Sequence, residues 1–398
     1  MPNPSMEGLR DEYPALQRTI RGQPLIYFDS AATALKPRAV IHAITSFLSS
    51  SGASVHRAVH QLGVEASEAY EGARDIIASF LGADVDEVVY VRNTTEGINL
   101  VARSLKPSSS VLITGMEHHS NVLPWRKLHR PTVVPVLPDG TVDEQQILAE
   151  IRKGHDLVAI CQVSNVLGVL NPVERIVEAA HAAGSKVLVD GAQGAPHLEV
   201  DVHALGCDYY AMSGHKLGGP TGIGVLYAKR EHLQEMQPLL WGGDMVSAVH
   251  IEGEQLQEPP LRFEAGTPAV EAAIGLGAAC EFLEDVGRDR ILEHDRALAS
   301  HARKGLAALE RVVVHGPADS SRSAGTVAFT IDGIGSNMVA KVLSDRINAC
   351  VRSGWLCAQP LHEALELEPT VRASFYLYNT EDEVDRMLSV LEDLIATA

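Results

Sequence analysis

The chain of 398 residues contains no uninterrupted apolar run of about 18 residues, the length a membrane helix requires, so no membrane span is expected. Positive charge is also scarce: 33 Lys+Arg against 51 Asp+Glu leave a formal net charge of −18. That balance argues against nucleic acid or an anionic membrane as partner, and any anionic ligand must be held by a local nest or a few cations. Cysteines number only five, Cys161, Cys207, Cys280, Cys350 and Cys357. Odd in number, widely spread and without close pairs, they exclude a disulfide framework and make a metal centre unexpected. They fit a reduced, cytoplasmic compartment. The segment 1–7 lacks a basic stretch followed by an apolar one, so no secretory signal is expected. Internal repeats and low-complexity tracts are absent. What remains is an ordinary globular composition, 45% hydrophobic and 21% charged, long enough for roughly two or three domains.

The middle of the chain alternates strand and helix signals. Residues 157–160 read as a buried strand, and Asn171-Pro172 as an N-cap with proline at the first helical position. Val173, Ile176, Val177 and Ala180 then recur at i, i+3, i+4, i+7 until Gly184 stops the helix, and 186–189 resume a strand. This βαβ unit predicts a mainly parallel sheet covered by helices. Further strands are expected at 87–92, 111–115, 132–137, 208–212 and 223–228, with a loop or hairpin at 255–260. The last third predicts a smaller α+β domain, entered by a helical connector over 269–310. It holds strands at 325–331 and 371–377, a helix at 337–346, and a final helix opened by a Thr380/Glu383 capping box.

Asp190 and Lys216 each close a short apolar run. A carboxylate and an amine at neighbouring strand ends meet the needs of pyridoxal phosphate. The lysine holds the aldehyde as a Schiff base, and the aspartate keeps the pyridine nitrogen protonated so that the ring absorbs electrons. Solvated loops carry such charges too, so the neighbours decide. Thr94 and Thr95, between Asn93 and Glu96-Gly97, stand at the start of an apolar helix, where they suit a phosphate or a simple N-cap. Adjacent His118 and His119 point in different directions, which disfavours a joint metal site. One can stack on a planar cofactor, and the other is expected at the surface. Ser213 and His215, in the glycine-rich run before Pro220, are available to a phosphate. All three loops follow strand carboxyl ends, where open α/β sheets bind ligands. In the C-terminal part, Cys357 lies among small and polar residues near Arg352, whose charge favours thiolate. Arg372 can fork onto a substrate carboxylate. Cys161, Cys207 and Cys280 read as packing residues, and Cys350 as buried.

Together these motifs resemble the cysteine desulfurases, a branch of the class V aminotransferases, and within them the group II (Suf-type) enzymes. The likeness runs through Tyr27-Phe28-Asp29-Ser30-Ala31-Ala32, Val55-His56-Arg57, 92–99, Met116-Glu117-His118-His119 and 163–168. It continues through Val189-Asp190-Gly191-Ala192-Gln193, Ser213-Gly214-His215-Lys216, 262–268, 352–360 and Arg372-Ala373-Ser374. The resemblance implies the pyridoxal-phosphate-dependent transferase fold type I, an α/β fold with a large, mainly parallel domain and a smaller α+β domain. The implied division is an N-terminal segment 1–26 packing with the small domain, a large domain 27–268, and a connector helix with the small domain 269–398.

The resemblance also implies roles. Lys216 would form the Schiff base and then move the Cα proton, Asp190 would partner the pyridine nitrogen, and Gln193 the phenolic oxygen. His118 would stack on the ring. Thr94, Thr95, Ser213 and His215 would hold the phosphate, with Thr267 reaching that of the other subunit in a homodimer. Asn165 and Arg372 would take the substrate carboxylate, with Arg352 beside them. Cys357 would receive the sulfur of L-cysteine as a persulfide and leave L-alanine, for iron–sulfur cluster assembly or other sulfur delivery. A protein acceptor would collect the persulfide, and the Cys-bearing segment is short, so direct delivery over long range is not expected. One departure stands out: Trp355-Leu356 occupy the place of two histidines. The alternatives are a selenocysteine lyase or cysteine sulfinate desulfinase, and, in another class, a non-catalytic scaffold for sulfur assembly.

Overall fold

The structure, a computed structural model, describes residues 6–57 and 59–397. The first five residues of the expected N-terminal segment and Ala398 of the expected small domain lie outside the described residues.

Seven strands build the large sheet: β1 (Val88–Val91), β2 (Val111–Thr114), β3 (Thr132–Val134), β4 (Leu157–Cys161), β5 (Lys186–Asp190), β6 (Tyr209–Ser213) and β7 (Gly224–Ala228). Their order is β1-β7-β6-β5-β4-β2-β3. Strands β2 to β6 are parallel, and β7 runs antiparallel to both its neighbours. Helices cover both faces, so strands such as β4 and β7 are buried along their whole length and read as unbroken apolar runs. The helices that matter below are α1 (Arg38–Ser50), α2 (Gln61–Leu81), α3 (Thr94–Ser104), α4 (Val173–Ala182) and α5 (Val270–Val286), the last packed on α1 and α2.

The smaller sheet is four-stranded and antiparallel, ordered β8 (Val312–His315), β9 (Thr326–Ile331), β11 (Thr370–Ser374), β10 (Arg352–Gly354). It packs with α6 (Arg288–Ala308), α7 (Ser336–Ile347) and α8 (Glu381–Thr397) around a core of its own. Ile26 and Phe28 enter that core, and Ile26–Tyr27 pair in parallel with Ala349–Cys350. Arg10 ties the start of the chain to the same unit, donating to the Tyr378 carbonyl at 3.1 Å and pairing with Glu383 at 2.7 Å.

The structure departs from the expected elements in several places, the strand expected at 132–137 ending at Val134 among them. The connector over 269–310 is two helices, α5 and α6, because Gly287 takes a φ of +91° that breaks the run. Asn171 does not cap α4: Pro172 holds the cap position, while the Asn171 amide reaches back to the Cys161 carbonyl at 2.7 Å. Of the loop or hairpin expected at 255–260, residues 257–260 are loop, and a hairpin over Val246–His250 and Gly253–Leu256 precedes them. Strand β11 leaves the sheet after Ser374 as Phe375 donates to the Gly325 carbonyl. The capping box of α8 is present in both directions, Glu383 N–H to Thr380 Oγ1 and Thr380 N–H to Glu383 Oε2, each at 3.3 Å.

Candidate active site

A cavity of about 380 Å³ opens where the carboxyl ends of the parallel strands meet β10, β11 and the loop after them. Every expected site residue lines it except Thr267, which is exposed on the loop before α5. At one end stands the N-terminus of α3. Asn93 caps it by accepting from the Glu96 N–H at 3.0 Å, and Thr94 and Thr95 of its first turn line the cavity. The Thr94 N–H and Oγ1 meet Ser213 Oγ at 2.9 and 2.7 Å, and Thr95 Oγ1 meets Ser120 Oγ at 2.7 Å. This hydroxyl cluster exists because β6 and β1 deliver their ends side by side through β7.

Lys216 follows directly on that cluster. Burial pulls its pKa from 10.5 down to about 8, although Asp190 works in the other direction. The loop carrying it is fixed from behind: the His215 carbonyl accepts from Ala34 N–H (3.0 Å), Lys36 Nζ (3.1 Å) and Thr33 Oγ1 (3.2 Å). Asp190 ends β5 only 4% exposed. Burial raises its pKa despite a hydrogen bond from the Ala192 N–H and the charge of Lys216. Such a carboxylate is short of positive charge and suits a cationic ring nitrogen. Gln193 donates to the Ala31 carbonyl at 2.7 Å. His118 accepts from the Ser120 N–H on Nδ1, and burial with the charge of Lys216 lowers its pKa to about 3, which keeps the ring neutral. Its neighbour Glu117 is fully buried, accepting from Thr114 Oγ1, Asn121 Nδ2 and the Cys161 N–H at 2.6–2.9 Å. Burial pushes Glu117 up to about 8.

The opposite wall comes from the small domain. Buried Arg372 on β11 donates to the Asn165 carbonyl (2.8 Å) and to Asp29 (3.2 Å). Arg352 on β10 takes the other oxygen of Asp29 at 2.7 Å. Arg372 Nε and Asn165 Oδ1 are buried without partners. An unsatisfied donor and acceptor in one cavity wall mark a place built for polar groups of a ligand. Cys357 is exposed at the mouth, near enough for its charge to act on both Lys216 and Arg372. Leu356 and Cys357 both take left-handed backbone, φ +52° and +54°. Trp355 is 40% exposed and sets its ring edge-on to His362 at 5.4 Å.

Three residues carry more than their sequence reading. His119, expected at the surface, is half-buried: its backbone N–H reaches the Cys357 carbonyl, and its ring accepts from the Gln359 N–H, because the small-domain loop lies across it. Asp29 and Glu117 stand inside quoted motifs, yet no spacing showed that one would join two arginines and the other three donors. Cys350, expected buried, is half-buried beside the Tyr27 segment.

The aminotransferase class-V family matches residues 26–387, so the chain belongs to that family of pyridoxal-phosphate enzymes. Within it, the relatives are cysteine desulfurases. A probable cysteine desulfurase of Halalkalibacterium halodurans is 46% identical over 96% of this chain and 95% of its own length. The cysteine desulfurase of Serratia proteamaculans is 43% identical over 97% of each. Among solved structures, the apo cysteine desulfurase of Thermococcus onnurineus superposes with a TM-score of 0.94 at 38% identity, covering 100% of this chain and 99% of that one. The cysteine desulfurase CsdA of Escherichia coli gives 0.89 at 36%, with 99% of each covered.

Proposed function

We propose that this protein is a pyridoxal-phosphate-dependent cysteine desulfurase of the Suf type, converting L-cysteine to L-alanine and storing the sulfur on Cys357 as a persulfide. The observation that carries this reading is that Cys357 and Lys216, from different domains, line one cavity. The residues present fit the cofactor. Buried Asp190 lacks a full cationic partner, and the hydroxyls of Thr94, Thr95 and Ser213 cluster at a helix N-terminus. When bound, pyridoxal phosphate supplies an electron sink conjugated to the substrate Cα.

The chain's own groups do the rest. Asp190 would hold a proton at the ring nitrogen, and Gln193 would donate to the phenolic oxygen. His118, uncharged, would stack on the ring. Thr94, Thr95, Ser213 and His215 would hold the phosphate, and in a homodimer Thr267 would serve the phosphate of the second subunit. Arg372, Asn165 and Arg352 orient the carboxylate of L-cysteine. The Lys216 amine moves the proton at Cα, which a group titrating near 8 does readily at neutral pH. The Cys357 thiolate attacks the substrate sulfur: an S–S bond forms, the Cβ–S bond breaks, and its electron pair stays on carbon. Carbon then takes up a proton, so cysteine plus thiol becomes alanine plus persulfide. An exposed Cys357 hands the sulfur to an acceptor protein in a reducing, cytoplasmic setting. We take 1–26, 27–268 and 269–398 as the N-terminal segment, cofactor domain and small domain that make this division of labour.

Anaerobic incubation with L-cysteine, following alanine, tests the assignment. Alanine should form with the wild type and be lost in Lys216→Ala; wild-type activity in that variant would end the reading.

A further inference from the structure

We propose that His119 is a positioning residue that fastens the Cys357 loop to the large domain and so sets where the thiol stands, with Asn165 as the second anchor. The proposal deepens the desulfurase reading and rests on it for its kinetic arm.

The loop is held in a form that does not hold itself. Gly354 has φ +110°, and Leu356 and Cys357 both adopt left-handed backbone, which residues with a Cβ take at a cost. Within the loop the Ala358 N–H bonds to the Trp355 carbonyl at 2.9 Å. On its own side Trp355 sets its ring against His362, and three further hydrogen bonds come from across the cavity. The Asn165 amide donates to the Leu356 carbonyl at 2.8 Å, and the His119 N–H donates to the Cys357 carbonyl at 2.7 Å. The Gln359 N–H donates to His119 Nε2 at 3.2 Å. The carbonyls before and after the Cys357 nitrogen–Cα unit are therefore both tied to the large domain, and His119 contributes two of the three ties. Burial and the nearby Arg126 lower the His119 pKa, so its ring remains a neutral acceptor. Its neighbour His118 faces the cavity, and the two rings are tilted by 47°. One short segment thus serves the cofactor with one ring and the thiol with the next.

The variant His119→Ala removes the ring acceptor and keeps the backbone N–H, while His119→Gln restores an acceptor at similar reach. In the cofactor-loaded protein without substrate, hydrogen exchange across residues 352–360 should be faster in His119→Ala than in the wild type and return toward wild type in His119→Gln. With L-cysteine, kcat for alanine should fall on the order of tenfold in His119→Ala, with KM and cofactor capture within about twofold, and recover in part in His119→Gln. Unchanged exchange over 352–360, or a kcat loss that His119→Gln does not relieve and that tracks lost cofactor capture, overturns the proposal. Absence of alanine from the wild type would instead defeat the desulfurase reading, and the exchange arm would still decide the latch.

Discussion

At the scale of single residues, burial sets the chemistry. Lys216 sits behind the hydroxyl cluster with its pKa brought to about 8, so most copies are protonated at pH 7 and most are free amines at pH 9. Capture of pyridoxal phosphate by the apoprotein, followed by absorbance, should therefore accelerate about tenfold per pH unit below 8 and level off above it. A rate that is flat between pH 7 and 9 contradicts this account. The charges of this site were legible in the sequence because Asp190 ends one apolar strand and Lys216 stands in the turn just after another. Their supports were not. Asp29 becomes a hub only when β10 and β11 bring Arg352 and Arg372 to its two oxygens, and no local pattern encodes a meeting across more than 300 residues.

At the scale of elements, the parallel strands were readable because a sheet covered on both faces needs unbroken apolar runs, and β4 to β7 have them. Boundaries failed where a tertiary contact outbid local propensity. The Asn171 side chain preferred the Cys161 carbonyl to a helix cap, and Gly287 divided a stretch that periodicity alone runs together. The ends of the strands away from the site are fastened by Asp208, just before β6. Buried, it accepts from the Val187 N–H (2.7 Å) and Lys229 (3.0 Å) and meets His181 (2.8 Å) and His232 (2.9 Å). These bonds hold its pKa well below the usual carboxylate range against the opposing effect of burial. A depressed folded-state pKa stabilises above the unfolded value of about 3.9, and that stability is lost as pH falls through the folded one. Asp208→Asn should therefore cost about 1–3 kcal/mol at pH 7, and the gap from wild type should narrow below about pH 4. A gap in urea midpoints that widens on acidification would contradict the assignment.

At the scale of the whole molecule, the large domain also locks the segment that carries Thr267. Glu264 takes the guanidinium of buried Arg74 at 2.7 and 2.9 Å, the Tyr90 N–H at 2.8 Å and the Tyr70 hydroxyl at 3.1 Å. Glu71 also pairs with Arg74, at 2.9 Å. Glu264→Ala strands most of a buried cation and should cost about 3 kcal/mol in chemical denaturation; a loss under about 1 kcal/mol would show that Glu71 suffices alone. The sequence motif 262–268 contained Glu264 without indicating this structural duty, since its partners lie on α2 and β1. Joining the two domains is what makes the site, because the amine and the thiol come from opposite sides of one cavity. The central claim is met most directly by mass spectrometry of the peptide bearing Cys357 after anaerobic single turnover with L-cysteine. One added sulfur on Cys357, matched by an equal amount of alanine and absent in Cys357→Ser, is the predicted result. Alanine formed at the wild-type rate by Cys357→Ser, with no sulfur on Cys357 in the wild type, would contradict it.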